Sequence, residues 1–165
     1  MRKSLLCISF ILLSACAKTY ELHNSFDISK AQIVLEKGDN TIKGEAFMRQ
    51  RGGGIVTCAG SDVELIPYTE YANERMRILY GGIATGFSPW NNRITFIPDI
   101  QDYYQYNKTK TCSANGSFTF NNVKDGNYFI TSCVQWWAGD NPQGGCLMKN
   151  ITVKGGETME VILSN

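Results

Sequence analysis

The 165-residue chain has a single histidine, His23, and almost no excess charge: 16 Lys and Arg against 15 Asp and Glu give a formal +1. Scarce histidine narrows nucleophilic catalysis, since any Ser-His-Asp or Cys-His set must pass through His23. Neither a G-x-S-x-G nor an H-E-x-x-H motif is present. A zinc site is disfavoured for the same reason, because no two cysteines stand in C-x-x-C spacing and one histidine cannot complete a ligand set. The sequence therefore calls for no metal and no cofactor. The balanced charge, without a block of one sign, argues against nucleic acid, which is held by concentrated basic surface. Internal repeats and low-complexity tracts are absent, and the length suits one globular domain.

The first fifteen residues read as an export signal. Met1-Arg2-Lys3 is a short basic start, and Leu5–Leu13 is apolar but too short to span a bilayer. Leu13-Ser14-Ala15-Cys16 then resembles a bacterial lipobox, which implies cleavage before Cys16 and acylation of its thiol and amine. Ala15-Cys16-Ala17 also fits an ordinary secretory cleavage site, but the short apolar region and the order of residues favour lipidation. Ala17 after the cysteine resembles outer-membrane sorting, so the expected address is the cell envelope, lipid-anchored, facing the periplasm. Residues 16–25, polar and without pattern, read as a tether, leaving 26–165 as the domain.

Once Cys7 leaves with the signal and Cys16 carries lipid, Cys58, Cys112, Cys133 and Cys146 remain. Four thiols in an oxidising compartment suggest two disulfides, with three pairings open. Cys133–Cys146 is favoured because the two would face each other on strands flanking the Gly139–Gly145 loop. That leaves Cys58–Cys112.

Along the chain, Ile33-Val34-Leu35 reads as a short strand and Thr41–Gln50 as a longer one, with Ile42, Gly44, Ala46 and Met48 on one face. Gly52-Gly53-Gly54 lacks the Lys-Ser/Thr of a phosphate cradle and reads as a hairpin loop or bulge. Val63–Pro67 reads as a strand that its proline stops or places at an edge. Thr69–Tyr80 has a capping threonine, apolar Ala72, Met76, Leu79 and Tyr80 on one face and Gly81-Gly82 after it, which predicts a helix. Glu70 and Glu74, one turn apart on it, could hold a metal or act as acid and base, but a solvated face beside Arg75 and Arg77 is the simpler reading. Gly86–Asn92 reads as loop and Arg93–Ile97 as strand. Tyr103, Tyr104 and Tyr106 fit the packing of a half-buried strand better than a stacking surface.

Asn115–Trp137 is the most strongly patterned stretch. Phe118 and Phe120 share a face, Lys124-Asp125-Gly126-Asn127 is turn chemistry with Gly126 free to take a positive φ, and Tyr128–Trp137 alternates with apolar residues on both faces. Two strands joined by a turn, central in their sheet, are expected. Strands at Gly145–Val153 and Thr158–Leu163 follow, with Met159, Val161 and Leu163 inward.

Within that stretch, Gly116–Tyr128 resembles the G-x-F-x-F-x-x-[LV]-x-x-G-x-Y signature of carboxypeptidase regulatory-like domains. The resemblance implies a transthyretin-like β-sandwich, in which the phenylalanines and Val123 fill the space between sheets. Gly44-Glu45-Ala46, Val63-Glu64-Leu65 and the closing strands fit the same scheme. The fold expected is thus all-β, an Ig-like or transthyretin-like sandwich of about seven to nine strands with one short helix at about 69–80. Such domains are not catalytic; they fold, space or bind. Transthyretin-like lipoproteins also occur as outer-membrane anchors of type VI secretion systems, which this chain resembles in architecture and address.

Three functions follow in order. The first is a non-enzymatic envelope lipoprotein that supports a membrane-associated assembly or binds a protein partner, with Trp90, Tyr103, Tyr104, Trp136 and Trp137 as the contact surface. The second is a carbohydrate-binding module that uses the same aromatics as stacking platforms. The third, an enzyme, rests only on Glu70 and Glu74.

Overall fold

The computed structural model of the chain describes residues 17–165, so the signal segment and Cys16 lie outside the described residues. Its centre is strand β9 (Gly126–Ala138), in which Tyr128, Ile130 and Val134 alternate with Phe129, all of them fully buried. A strand apolar on both faces needs cover on both. Hydrogen bonding places it between β10 (Asn141–Val153) and β4 (Asp62–Pro67), with β5 (Thr85–Pro89) and β7 (Lys108–Thr111) at the sheet's edges.

The second sheet is built on β2 (Asn40–Arg49). The last strand, β11 (Thr158–Leu163), runs parallel to it on one side, while β3 (Ile55–Thr57) and β8 (Ser117–Val123) pair antiparallel with it. Ile42, Ala46, Met48, Phe118, Phe120 and Val161 from this sheet meet Val63, Leu65, Ile130 and Leu147 from the first in one core. This is the all-β sandwich expected, though it has eleven strands among the described residues and further short helical segments.

The outer face of the first sheet is covered by helix α2 (Glu70–Tyr80), which packs Tyr71, Ala72 and Met76 over Ile66, Phe129 and Met148. Thr69 caps it by accepting from the Ala72 amide at 3.0 Å, and Gly81 ends it in the left-handed conformation at φ 72°. Both ends follow the sequence pattern.

The turn at Lys124-Asp125 does not close a hairpin. Strand β8 pairs with β2 while β9 pairs with β10 and β4, so the turn carries the chain from one sheet to the other. The phenylalanines of β8 and the alternate residues of β9 thereby face each other across the core instead of lying side by side. Nor does Gly126 take a positive φ; Asn122 does, at 56°. The fit at Gly126 is close instead: a Cβ there would lie 3.2 Å from the Tyr128 ring and 3.3 Å from the end of the Ile33 side chain.

Fully buried Asn40 ties this crossing to the next one. Its Nδ2 donates to the Val123 carbonyl at 2.9 Å and to Asp125 at 2.8 Å, while its Oδ1 accepts from the Glu157 amide at 2.9 Å. Asp125 also accepts from the Gly155 amide, and these bonds, Asn40 first, hold its carboxyl below the usual range.

Four other expectations are corrected. Ile33-Val34-Leu35 belongs to a 3₁₀ turn over Gln32–Leu35, continuing α1 (Ile28–Ala31), because Asp27 accepts from the Ser29 and Lys30 amides and starts helical geometry. Gly86–Asn92, expected as loop, begins within the edge strand β5, whose residues 86–89 pair with β10. Tyr103 and Tyr104 sit on a short helix, α3 (Asp102–Gln105), not a strand. Within the expected tether, Lys18–Glu21 forms strand β1, parallel to β6 (Ile94–Ile97). Unpatterned polar residues suffice for β1 because all four of its side chains are exposed and only its backbone is needed.

Candidate functional site

The five aromatics singled out by the sequence do not converge. Tyr103 is 4% exposed, and Tyr104, though 47% exposed, has its hydroxyl committed: it accepts from Arg75 Nη2 at 2.6 Å and donates to Asp99. Trp137 is 73% exposed and alternates with Trp136 along β9, so the two leave opposite faces of the strand. Only Trp90 and Trp136 line a common concavity.

That concavity is a groove of about 740 Å³, in the size range of small-ligand sites. The end of β2 and its hairpin loop form one wall, with Arg49, Gln50 and Arg51. Opposite stand Phe87 and Trp90 from β5 and its following turn, with Trp136 and Gln143 from β9 and β10. Phe87 and Trp90 are 41% and 43% exposed, enough to offer a ring face to a ligand.

Local backbone chemistry sets this wall. Gly144 at φ 94° lies so near Trp136 that a Cβ would meet the indole at 3.0 Å and the Val134 carbonyl closer still. Its carbonyl accepts from the Trp90 amide at 3.1 Å, joining the Trp90 turn to β10. Asn92 braces that turn through its Nδ2, which donates to Ser88 Oγ at 2.9 Å. A few residues along the same ladder, Cys133 and Cys146 are directly opposed and joined. The second bridge is Cys58–Cys112, so both favoured pairings are present.

Another depression, about 610 Å³ over Gly44 on the outer face of the second sheet, is lined by Lys43, Glu45, Thr119 and Glu160. It offers no exposed aromatic ring, since Phe118 beneath it is buried. The groove beside Trp90 is the better candidate for that reason.

The carboxylates of α2 have a different task from the one first considered. Glu74 accepts from the backbone amides of His23 at 3.0 Å and Asn24 at 2.9 Å, and from the side chains of both. Burial alone would raise its carboxyl; the Asn24 and His23 bonds outweigh that and hold it at about 2. A carboxyl so occupied is a poor general acid, and it clamps the segment after β1 onto α2. Arg75, expected on the solvated side of α2, is only 4% exposed and packs among aromatic rings. Among the described residues no cluster of three or more His, Cys, Asp or Glu could hold a metal ion, and no helix is long and apolar enough to cross a membrane.

The clamp predicts a pH effect. Because the folded Glu74 pKa lies below its ordinary 4.5, the clamp is complete above that pH and is lost as pH falls toward about 2. Hydrogen exchange at His23 and Asn24, corrected for intrinsic rates, should accelerate across that window. Glu74→Ala should reproduce the acceleration at neutral pH; unchanged protection in the variant would assign the clamp no energetic role.

The sequence missed Arg49, Arg51, Phe87 and Gln143 as lining residues. Alternation separates Trp136 from Trp137, but only the folded hairpin brings the two arginines opposite Trp90.

No family model matches the chain, and no curated protein does either. Among solved structures, the fold is similar to that of a Pseudomonas aeruginosa protein described as a candidate carbohydrate-binding protein. The TM-score is 0.68 at 24% identity, over 86% of this chain and 99% of that one. At that identity the likeness establishes the fold, a β-sandwich shared from end to end by the other protein.

Proposed function

We propose that the chain is a non-enzymatic carbohydrate-binding protein of the bacterial envelope, held there by lipid on Cys16. The observation that carries the proposal is the groove in which Trp90 and Trp136 stand among side-chain amides. Sugar rings present apolar C–H faces that stack on indoles, and their hydroxyls need donors and acceptors together, which Gln50, Asn91 and Gln143 supply. The description of the P. aeruginosa protein, whose fold this chain shares, points the same way. A protein-partner role has less support, since a partner docks on a continuous face and the five aromatics are divided among separate places.

The envelope address is supported by the lipobox-like Leu13–Cys16 and by two disulfides, which persist outside the reducing cytoplasm. Mass spectrometry of the mature N-terminus tests it: an unacylated Cys16 would remove the anchor. The buried Phe118, Phe120, Val123 and Tyr128 support grouping the domain with carboxypeptidase regulatory-like modules.

The test of sugar binding is a glycan array followed by tryptophan fluorescence titration. A bound glycan should shift the emission, and Trp90→Ala should weaken binding by about tenfold or more, the loss of one stacked ring. Silence across the array, or full affinity in the variant, would overturn the assignment.

A further inference from the structure

Resting on that reading of the groove, we infer that its ligand is an anionic glycan, one whose repeating unit carries a carboxylate or phosphate. Two arginines, Arg49 and Arg51, line the groove and no Asp or Glu side chain does; the carboxylate of Asn165, also in the lining, offsets only one of the two charges. In a chain whose basic and acidic residues nearly cancel, this local imbalance is not a bulk property. The nearest acidic residue in sequence to the β9–β10 wall, Asp140, sits in the turn outside the lining.

The two guanidiniums are also uncommitted. Among the described residues neither Arg49 nor Arg51 takes part in an ion pair, whereas Arg75 spends its charge on Asp99 at 2.6 Å. Both are exposed. The Arg49 guanidinium lies 5.9 Å from the centre of the Phe47 ring on its own strand, which restricts where its fork can reach. A guanidinium fork matches the two oxygens of a carboxylate or phosphate better than it matches single hydroxyls. Rings facing charge across one groove therefore divide the work: Trp90 and Trp136 stack sugar faces, and Arg49 and Arg51 select the acidic unit.

The experiment uses the folded chain and a panel of uronate-bearing and phosphate-bearing oligosaccharides, each paired with its methyl-esterified or dephosphorylated form. Isothermal titration should find at least one pair in which the acidic member binds about tenfold tighter, the scale of one charge-assisted hydrogen bond. The R49Q/R51Q double variant should erase that ratio, and W90A should weaken both members. Which pair responds separates carboxylate from phosphate. Neutral members bound as tightly as acidic ones would overturn the anionic assignment and leave the sugar reading standing. Acidic preference that survives R49Q/R51Q would overturn it too, by placing the charge elsewhere. No binding by any member would remove both readings.

Discussion

Arg75→Ala should lower the unfolding free energy by about 2–5 kcal/mol, the range for hollowing a core; Asp99, the partner left behind, is 40% exposed and water takes up its charge. The guanidinium lies 4.2 Å from the centre of the Phe96 ring, 4.7 Å from that of Tyr103 and 5.3 Å from that of Tyr104. It donates to Asp99 at 2.6 Å and to the Tyr71 and Tyr104 hydroxyls at 3.2 and 2.6 Å. One side chain thus joins α2, the segment after β6, and α3. Arg75→Met restores apolar volume but neither the fork nor the cation, so its loss should fall between those of alanine and wild type. Urea denaturation checks both. If methionine equals wild type, packing alone matters and the charge contributes nothing.

Cys58→Ala/Cys112→Ala should cost about 4 kcal/mol on the loop-entropy scale, against about 3 for Cys133→Ala/Cys146→Ala. The first bridge spans 54 residues and the second 13. Position widens the gap. Cys133 and Cys146 join strands already laddered to each other, whereas Cys58 follows β3 and Cys112 follows β7, at two places where the chain passes between sheets. Fully buried Cys58 and nearly buried Cys112 also belong to the core, so alanine leaves a void there. Thermal unfolding of each pair variant tests the order; an equal or larger loss at Cys133–Cys146 would show that the ladder, not the crossing, sets the cost.

What could be read from the residues follows from how local each signal was. Thr69, the apolar face of α2 and Gly81 lie within one helix, so its ends were visible. The alternation of β9 was visible for the same reason, as was its central place. The partner of β8 was not, because a turn between sheets and a hairpin turn use the same Asp-Gly-Asn chemistry. Ile33–Leu35 misled because three apolar residues fit a strand or a helical turn equally, and the decision lay upstream in the Asp27 cap. Arg75 misled because charge normally marks the wet side of a helix, and the rings that surround it come from residues 96–104. The groove was half legible: Trp90 and Trp136 were named, but their meeting with Arg49 and Arg51 depends on a fold-back that no local pattern encodes.

The docking of the N-terminal segment has a mechanical consequence. A tug on the chain at Ala17 does not reach the sandwich directly; it meets β1 first. Drawn along its axis, this strand shears its four paired residues against β6 together, rather than unzipping them in turn. Glu74 grips His23 and Asn24 just behind it. A molecule fastened to a surface by that end would take up jolts in this short splice, sparing the groove on the sandwich.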